Sequence, residues 1–360
     1  MTATTARTFT LPGVRFDDLG PQRVIVFHHP KTRLHAVVVL DTKRDVPSGG
    51  GTRLAPDVSL AEVARLARAM TLKYALLSMP VGGAKAGIVL DPADPGRSGV
   101  VRAFVEAIRP LVESGTFVPG ADMGTSAEDF ASLLPFARDA GLSEDLTGYG
   151  VVAAAKAACA LAGRSLEGSR IALEGFGKVG TAAARFFARE GARIVAVSTV
   201  LGAIHDPTGL DVEALIALRE AHGDAGLAQA PGARPLARDS LFTVPCDVLV
   251  PGARPDVIHD GNAHLLEAKL VVPGSNIPYA EGTPATLDAR GVLAIPDFVS
   301  NAGGVLATVA ALQGMSGDAA RSLVQAAIEN NVRGVVERAR RDRTSPVEAA
   351  TRIAREALAT

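Results

Sequence analysis

Apolar and β-branched residues form two short runs near the start of the chain, at positions 23–28 and 34–40. The turn-forming segment Pro30-Lys31-Thr32 separates them, which predicts a β-hairpin. After Ser59 the apolar positions take the i, i+3, i+4, i+7 spacing of an amphipathic helix and keep it as far as Leu77. Two strands followed by a helix predict a mixed α/β arrangement for the first part of the chain.

Two lysines lie in and just after this helix. Lys73 falls at the edge of the apolar stripe, where its stem can pack on apolar neighbours while its ammonium group faces a cleft. Residues 80–87 are predicted to form a glycine-rich loop that carries Lys85 and leads into a short strand at 88–90. Because glycines allow a backbone to approach a small ligand closely, the lysines suggest a site for amine and carboxylate chemistry.

A second helix is predicted around residues 100–111, and a loop that contains Asp122 follows it. Ser126-Ala-Glu-Asp129 has the pattern of a capping box and predicts the start of another helix. Because Ser126 or Thr125 can cap that helix, we expect the Asp122 carboxylate to be available for another role.

From about residue 147 helical and strand patterns alternate, which predicts a parallel sheet with crossover helices. The predicted strands are residues 170–173, 193–197, 248–250, 270–272 and 292–295, and the last helices are expected near 316–340 and 346–359. A loop rich in glycine or polar residues follows each strand, at the end of an open α/β sheet where ligands bind.

The chain has 360 residues, more than one hydrophobic core usually organises. We therefore expect an α/β protein of two domains. The first, at residues 1–146, is an α/β substrate-binding and oligomerisation domain, and the second, at 147–325, is a Rossmann-type doubly wound dinucleotide-binding domain. The helices at 326–360 are expected to return to the first domain.

Charge and composition exclude several partners. The net charge is −1 and the basic residues are dispersed, so we expect no binding to nucleic acid or to anionic membranes. No apolar run approaches the ~20 residues that span a bilayer, and the first twelve residues lack the apolar core of a secretion signal. A cytoplasmic protein is the expectation. The two cysteines are expected to be free buried thiols, and the seven histidines lack metal-ligand spacing, so no metal is predicted.

The segment at residues 171–180 has the glycine fingerprint of a dinucleotide site between a strand and a helix. Gly175 allows the tight turn, Gly177 the approach of a pyrophosphate and Gly180 close packing of the helix on the strand. The helix N-terminus favours the phosphate charge. The intervening Phe176, Lys178 and Val179 belong to the same predicted cofactor site.

The second strand of such a site usually ends in an acid that binds the ribose hydroxyls of NAD. Here Val197-Ser198-Thr199-Val200 offers only hydroxyl groups, with Thr199 as the candidate contact. A 2′-phosphate is then not repelled, but Arg193, at the start of that strand, is at the wrong end to hold it. The choice between NAD and NADP stays open.

Over nearly its whole length the chain resembles the glutamate/leucine/phenylalanine/valine dehydrogenase family. The motifs that carry the resemblance are Gly50-Gly-Thr-Arg53, Met70-Thr-Leu-Lys73, Pro80-Val-Gly-Gly-Ala-Lys85, Asp122-Met-Gly-Thr125, the glycine fingerprint, Gly209-Leu-Asp211, Cys246-Asp247 and Pro296-Asp-Phe-Val-Ser-Asn301-Ala-Gly-Gly304. The resemblance implies reversible oxidative deamination of an L-amino acid to a 2-oxo acid and ammonia, with hydride transfer to NAD or NADP. It slightly favours NAD, and it implies a homo-oligomer.

The resemblance also implies roles for individual residues. Lys73 would bind the substrate α-carboxylate. Lys85, with a pKa lowered by a cationic neighbour and partial burial, would activate water, and Asp122 would exchange protons with the amino group. Family positions near the nicotinamide correspond to Thr147 and Asn276, and positions near the substrate correspond to Gly50 and Asn301.

Substrate choice is predicted from the side-chain pocket. In glutamate-specific relatives a lysine precedes the Gly-Gly of the Gly50 motif and pairs with the side-chain carboxylate, whereas here the position is Gly49. Other pocket positions correspond to Gly120, Val305 and Thr308. Two glycines predict a roomy pocket for a bulky, largely apolar side chain, aromatic before branched aliphatic, closer to the leucine/phenylalanine branch than to glutamate dehydrogenase.

Three alternatives compete with this prediction. Glutamate dehydrogenase activity is one, and a catalytically silent relative that binds a nucleotide or an amino acid is the second. The presence of Lys73, Lys85 and Asp122 together argues against a silent protein. The third, a 2-hydroxy-acid dehydrogenase, usually needs a histidine base and a carboxylate-binding arginine, and the glycine-rich segments here supply lysines instead.

Overall fold

The computed structural model describes residues 11–42, 46–134 and 143–359, with 143–145 described by their backbone alone. The first ten residues, part of the segment expected to lack a secretion signal, lie outside the described residues. The chain divides into two compact units, Met1–Arg138 and Asp139–Thr360. Each unit has its own sheet, so the predicted two-domain α/β class is confirmed.

The first unit contains a five-stranded mixed sheet. Its strands are β1 (Arg23–His29), β2 (Leu34–Asp41), β3 (Ser48–Ala55), β4 (Gly82–Val89) and β5 (Phe117–Ala121). They lie in the order β1-β2-β4-β3-β5. β1 and β2 form the predicted antiparallel hairpin, whereas β3 runs parallel to both of its neighbours, β4 and β5.

Two helices pack on opposite faces of this sheet, α1 (Leu60–Leu76) and α2 (Arg97–Glu113). Alternate residues of β2 separate the two cores: Val38 belongs to the cluster that contains Phe104 of α2, and Val39 to the cluster that contains Val63 of α1. The hydroxyl of Ser59 caps α1 by accepting a hydrogen bond from the backbone of Glu62. α1 agrees with the predicted apolar spacing, and α2 includes the helix predicted around residues 100–111.

The predicted glycine-rich loop around Lys85 is wrong, because this segment is the eight-residue strand β4 in the interior of the sheet. Its glycines serve close packing. A Cβ on Gly83 would stand 2.2 Å from the backbone nitrogen of Thr71, so glycine lets α1 lie directly on the strand. Lys85 therefore projects from a rigid strand, which fixes its position better than a loop would.

The second unit contains a seven-stranded sheet in the order β12-β11-β10-β6-β7-β8-β9. Its strands are β6 (Arg170–Glu174), β7 (Arg193–Thr199), β8 (Gly202–His205), β9 (Arg234–Leu236), β10 (Val248–Pro251), β11 (Leu270–Val271) and β12 (Leu293–Ala294). The five strands predicted from sequence pair in parallel, whereas β8 and β9 add an antiparallel edge. This confirms a Rossmann-like nucleotide-binding fold.

The helices of the second unit are α3 (Ser143–Leu161), α4 (Lys178–Arg189), α5 (Val212–His222), α6 (Asp260–Ala263), α7 (Thr283–Ala289), α8 (Asp297–Ser300), α9 (Gly303–Leu312), α10 (Gly317–Asp342) and α11 (Pro346–Ala359). α10 packs against α3 and α9, and α11 packs against α10. The two last helices have nearly the predicted bounds. The return of residues 326–360 to the first domain stays a prediction.

Candidate active site

Lys85 and Asp122 form an ion pair in the first unit. β4 carries Lys85, Asp122 directly follows β5, and β3 lies between these two strands. The Nζ atom of Lys85 lies 2.7 Å from Oδ2 of Asp122, and the Lys85 side chain is 3% exposed while that of Asp122 is 20% exposed. An amine and a carboxylate at this distance can exchange a proton directly.

Arg53 and Glu62 extend the ion pair into a network of four charged groups. Arg53, on β3, donates from Nε to Oδ2 of Asp122 at 3.1 Å. Its Nη1 forms a short ion pair with Glu62 in the first turn of α1. Two cations and two anions alternate, so the burial of each charge is compensated by a partner. The Asp122 carboxylate is thus held by two cations and does not serve as a helix cap.

The glycines of the Gly50 motif bring the three strands together. A Cβ on Gly50 would stand 1.6 Å from the carbonyl oxygen of Ala84. A Cβ on Gly51 would stand 2.9 Å from Cβ of Asp122 and 3.2 Å from Nζ of Lys85. Gly51 therefore leaves open the space in which Lys85 and Asp122 meet.

The surroundings shift the pKa of both members of the pair. Burial lowers the pKa of Lys85 and Arg53 lowers it further, although Asp122 acts in the opposite direction. Burial alone would raise the pKa of Asp122, but Lys85 and Arg53 outweigh it and hold that pKa below its ordinary value. Lys85 consequently gives up its proton more readily than a surface lysine, as a general base for water must.

Lys73 lies on α1 and is 4% exposed, which is deeper than its expected place at the edge of the apolar stripe. α1 packs on β4, so Lys73 and Lys85 lie on adjoining elements. A lysine with its stem buried to this extent has few conformations to lose when it binds a carboxylate.

The predicted free space at Gly49 is wrong, because the side chain of Tyr74 occupies it. A Cβ on Gly49 would stand 2.7 Å from the Tyr74 hydroxyl and 3.6 Å from Cγ1 of Val81. At Gly120 a Cβ would make only ordinary van der Waals contact, with the Gly50 carbonyl oxygen nearest at 3.8 Å, so a side chain fits there and the roomy pocket stays a prediction.

The glycine fingerprint of the second unit has the geometry of a phosphate cradle. Gly175 has φ +92°, and a Cβ on Gly180 would stand 2.1 Å from the carbonyl oxygen of Gly175. A Cβ on Gly177 would meet no atom within 4 Å, so this face of the turn is open. Gly177 starts α4 without a side-chain cap. The backbone N–H groups of this helix terminus can therefore receive a dinucleotide pyrophosphate, which is the fit that NAD or NADP requires.

The residues between these glycines differ in what they can offer. Phe176 is 1% exposed, so its side chain packs in the core and only its backbone can face a nucleotide. Lys178 is the first residue of α4. Cγ1 of Val179 lies 3.4 Å from the position of a Cβ on Gly274, beside the segment that follows β11.

Glu174 connects two of the strand ends that form this site. Its buried carboxylate, at the end of β6, accepts hydrogen bonds from the backbone N–H groups of Gly252 at 3.0 Å and Ala253 at 2.9 Å. Burial raises the pKa of Glu174 despite these bonds. Glu174 thus fixes the segment after β10 next to the glycine turn.

The end of β7 carries no acid. The Ser198 hydroxyl accepts a hydrogen bond from the backbone of Gly175 at 3.3 Å, and the Thr199 hydroxyl accepts one from the backbone of Leu201 at 3.3 Å. Val200 is 74% exposed in the same turn. The local groups therefore give neither an acid for the NAD ribose nor a cation for a 2′-phosphate.

Asn301 and Asn276 form a polar contact near the end of β11. Nδ2 of Asn301 donates to Oδ1 of Asn276 at 3.0 Å and to the Ser275 carbonyl at 2.9 Å. Oδ1 of Asn301 is buried and has no hydrogen-bond partner among the described residues. A Cβ on Gly303 would stand 3.1 Å from Cα of Thr147. Thr147 of α3, a predicted nicotinamide contact, therefore lies beside the start of α9, two residues after Asn301. A buried acceptor of this kind is ready for a ligand donor.

Val305 and Thr308 lie on α9. Val305 is partly buried and Thr308 is exposed. The Thr308 hydroxyl donates to the Gly304 carbonyl at 3.2 Å, one turn earlier in the helix. Its donor is therefore occupied, and only its acceptor capacity is available to a ligand.

Sequence reasoning missed four residues of these sites: Arg53, Glu62, Tyr74 and Glu174. Arg53 stood in a recognised motif, but nothing in the pattern indicated its partners on other elements. For Glu62 the sequence indicated only a place in the first turn of a helix. For Tyr74 it indicated only an apolar position of that helix. Glu174 could have been found from the sequence, because an acid at the end of an otherwise apolar strand indicates a buried charge with a specific role.

Membrane-spanning helices, metal-ligand clusters and the two cysteines were considered among the described residues. No helix in this part of the chain is long and apolar enough to cross a membrane. Within the same residues there is no group of three or more His, Cys, Asp or Glu side chains arranged for a metal ion. Cys159 and Cys246 are free and buried, as expected, and burial raises the pKa of both thiols.

Known proteins with similar sequences are amino-acid dehydrogenases. Glutamate dehydrogenase A2 of Halobacterium salinarum is 35% identical over 282 residues, which cover 72% of this chain and 67% of that protein. Glutamate dehydrogenase of Thermotoga maritima is 34% identical over the same length and coverage.

Solved structures give the same fold. The Leu-bound hetero-hexameric glutamate dehydrogenase of Thermus thermophilus matches with a TM-score of 0.83 and 28% identity, over 94% of this chain and 88% of that one. L-Tryptophan dehydrogenase of Nostoc punctiforme matches with a TM-score of 0.67 over 95% and 98% of the chains, and at 22% identity it supports the fold alone.

Two family models cover most of the chain. The dimerisation domain of the Glu/Leu/Phe/Val dehydrogenases matches residues 21–136, and the Glutamate/Leucine/Phenylalanine/Valine dehydrogenase domain matches residues 141–360. The chain therefore belongs to the glutamate/leucine/phenylalanine/valine dehydrogenase family and is an amino-acid dehydrogenase that uses NAD or NADP.

Proposed function

We propose that this enzyme oxidatively deaminates an L-amino acid with a bulky, largely apolar side chain. The observation that carries the chemical step is the buried Lys85–Asp122 ion pair, with 2.7 Å between its charged atoms. Gly49 in place of a lysine, together with a position 120 where a Cβ would meet nothing closer than 3.8 Å, supports the substrate class. The reaction converts amino acid, water and oxidised cofactor into 2-oxo acid, ammonium, reduced cofactor and one proton.

The first unit would bind the substrate and move its protons. Lys73 pairs with the α-carboxylate as a point charge. Asp122, ionised because of its two cationic neighbours, accepts a proton from the substrate ammonium group, which leaves a neutral amine. NAD or NADP, held by residues 175–180, would supply the acceptor for the hydride at Cα.

Water then attacks the imine carbon of the oxidised substrate. Neutral Lys85 takes the proton from this water as the C–O bond forms, and its lowered pKa makes the neutral form accessible. Asp122 passes a proton to the nitrogen of the tetrahedral adduct. As the C–N bond breaks, Asp122 takes the proton of the adduct hydroxyl group, so that ammonia departs and the 2-oxo acid remains. The protons on Lys85 and Asp122 then leave, one to ammonia and one to solvent.

The second unit would hold the cofactor. The backbone of residues 175–180 receives the pyrophosphate, and Glu174 fixes the neighbouring segment after β10. Thr147 and Asn276 are proposed nicotinamide contacts, and the unpartnered Oδ1 of Asn301 is proposed to accept a hydrogen bond from the substrate. The residues at the end of β7 support no preference between NAD and NADP. The resemblance to the family slightly favours NAD.

Glutamate dehydrogenase activity is the second candidate. The similar curated proteins, at 35% and 34% identity, are glutamate dehydrogenases. Against this candidate, no lysine stands at position 49, and a buried substrate carboxylate without a cation is costly. A catalytically silent role is less well supported because Lys73, Lys85 and Asp122 are all present. We also propose a homo-oligomer, on the basis of the dimerisation-domain match.

A substrate panel tests the proposal. The purified protein is incubated with phenylalanine, tryptophan, leucine, valine and glutamate, separately with NAD and NADP, and reduced cofactor is measured by absorbance. The proposal expects kcat/KM to be highest for an apolar amino acid. A clear preference for glutamate would reject the proposed substrate class but not the reaction.

A further inference from the structure

Tyr74 and Gly49 lie in contact across two elements of the first unit. Tyr74 is on α1 and Gly49 is on β3. The hydroxyl oxygen of Tyr74 lies 2.7 Å, and its Cζ 3.4 Å, from the position of a Cβ on Gly49. Cβ atoms essentially never approach another atom to less than 3.0 Å. The strand therefore accommodates the phenol only because position 49 has no side chain.

Position 49 requires glycine because of the neighbouring Tyr74 ring and not because of its own backbone conformation. Gly49 does not have the positive φ that favours glycine, unlike Gly124. An L-residue at position 49 would have an acceptable backbone but would collide with the ring. Tyr74 is buried, so its ring must shift within packed surroundings before a side chain at position 49 fits.

The phenol is buried without a charged partner. Tyr74 is 8% exposed, and burial alone raises its pKa to about 12. Its hydroxyl makes no hydrogen bond with the residues that the structure describes. A neutral hydroxyl in such a place can donate one hydrogen bond, but it supplies no positive charge.

We propose that Tyr74 and Gly49 form a matched pair that determines side-chain specificity, with the Tyr74 phenol filling the place of a residue-49 side chain and closing the pocket to substrates with a side-chain carboxylate. This inference rests on the proposed function for the location of the pocket. The substrate class that fits is an L-amino acid with a neutral side chain that needs no cation at position 49.

Conversion of this enzyme to glutamate specificity would require changes at both positions 49 and 74. A lysine introduced at position 49 alone supplies the missing cation but overlaps the Tyr74 ring. Removal of the ring alone leaves space without a cation. Only the two changes together provide both, so their effects are strongly non-additive.

The experiment compares the parent with Gly49→Lys, Tyr74→Ala and the double variant. Thermal unfolding is recorded with and without 2-oxoglutarate, and kcat/KM is measured for glutamate and for the best neutral substrate. We expect Gly49→Lys to lower the Tm. We expect the double variant to lose less Tm than the sum of the losses in the two single variants. We also expect the double variant alone to gain stabilisation by 2-oxoglutarate and about tenfold or more in kcat/KM for glutamate.

Two results would overturn the inference. One is a Gly49→Lys variant that is as stable as the parent and gains glutamate turnover with Tyr74 in place. The other is additive thermal effects together with no added protection by 2-oxoglutarate in the double variant. If the parent oxidises no amino acid, the proposed function fails, but the thermal coupling and the 2-oxoglutarate protection still decide the matched pair, because neither requires turnover.

Discussion

Nζ of Lys85 lies 2.7 Å from Oδ2 of Asp122, and Gly51 of the strand between them leaves the required space. Lys85 lies on β4 and Asp122 directly follows β5, and β3 separates these two strands, so the close contact depends on a position of β3 without a side chain. The ion pair is built into the sheet and does not need a loop to close over it.

Gly51→Ala should separate this pair. The new Cβ would stand 2.9 Å from Cβ of Asp122 and 3.2 Å from Nζ of Lys85, so one of them must move. We expect kcat to fall by about 10²-fold, since small misplacements of catalytic groups have effects of this size. Gly99→Ala on α2 is the matched control, because its Cβ would meet no atom within 4 Å. Steady-state kinetics of both variants test this, and a Gly51→Ala enzyme with parental kcat would contradict the role of Gly51.

Glu62→Gln should shift the pH dependence of the reaction. The negative charge of Glu62 raises the pKa of Lys85 and the positive charge of Arg53 lowers it, so loss of the Glu62 charge lowers the pKa of Lys85 further. Neutral Lys85 then forms at lower pH. The ascending limb of kcat/KM is expected to move to lower pH, because the base must be neutral to act. A limb that stays fixed, or that moves to higher pH, would exclude Lys85 as the titrating base.

Gly177→Ala and Gly180→Ala should separate cofactor binding from stability. The new Cβ at position 177 would enter open space, so we expect an unchanged Tm and a weaker Kd for the dinucleotide. The Cβ at position 180 would stand 2.1 Å from the Gly175 carbonyl, so we expect a lower Tm. Thermal unfolding and nucleotide titration measure the two effects. Equal loss of Tm in both variants would argue against an open phosphate cradle at Gly177.

Thr199→Glu should make the enzyme selective for NAD. The end of β7 carries hydroxyl groups and no acid, and a carboxylate there can accept hydrogen bonds from the ribose hydroxyls while it repels a 2′-phosphate. We expect kcat/KM with NADP to fall by about tenfold or more relative to NAD. Thr199→Gln, which has the same shape as the glutamate without its charge, is the control. Parallel changes for both cofactors would place the adenosine ribose away from Thr199.

Gly120→Leu should exclude large substrates first. The nearest atom to a Cβ at Gly120 would stand 3.8 Å away, so the backbone accepts a side chain there, and a leucine would reduce the proposed substrate pocket. We expect kcat/KM to fall more for tryptophan and phenylalanine than for valine. The substrate panel measures this order. A uniform loss for all amino acids would indicate a general structural defect instead of a filled pocket.

Hydrophobic periodicity predicted most of the fold because amphipathic helices and short buried strands leave a direct record in the sequence. The five parallel strands of the second unit and the helix that carries Lys73 are examples. The strand that carries Lys85 was mistaken for a loop, because glycine usually indicates a turn, whereas here it permits α1 to pack on β4.

The site was predictable only in part. The motifs identified Lys73, Lys85 and Asp122, but the partners that tune them come from other elements. Arg53 contacts both Asp122 and Glu62, and no local pattern encodes such a contact. Likewise, Tyr74 fills the space at Gly49 from α1, and the presence of glycines at pocket positions does not reveal this.

The most direct test of the proposed chemistry is turnover by Lys85→Ala, measured as the appearance of reduced cofactor with the best amino acid, beside Lys269→Ala as an exposed-lysine control. We predict that Lys85→Ala loses turnover by about 10³-fold or more while it still binds the dinucleotide and keeps a folded second unit. The control is predicted to keep parental activity. A Lys85→Ala enzyme that turns over within about tenfold of the parent would contradict the assignment of Lys85 as the base.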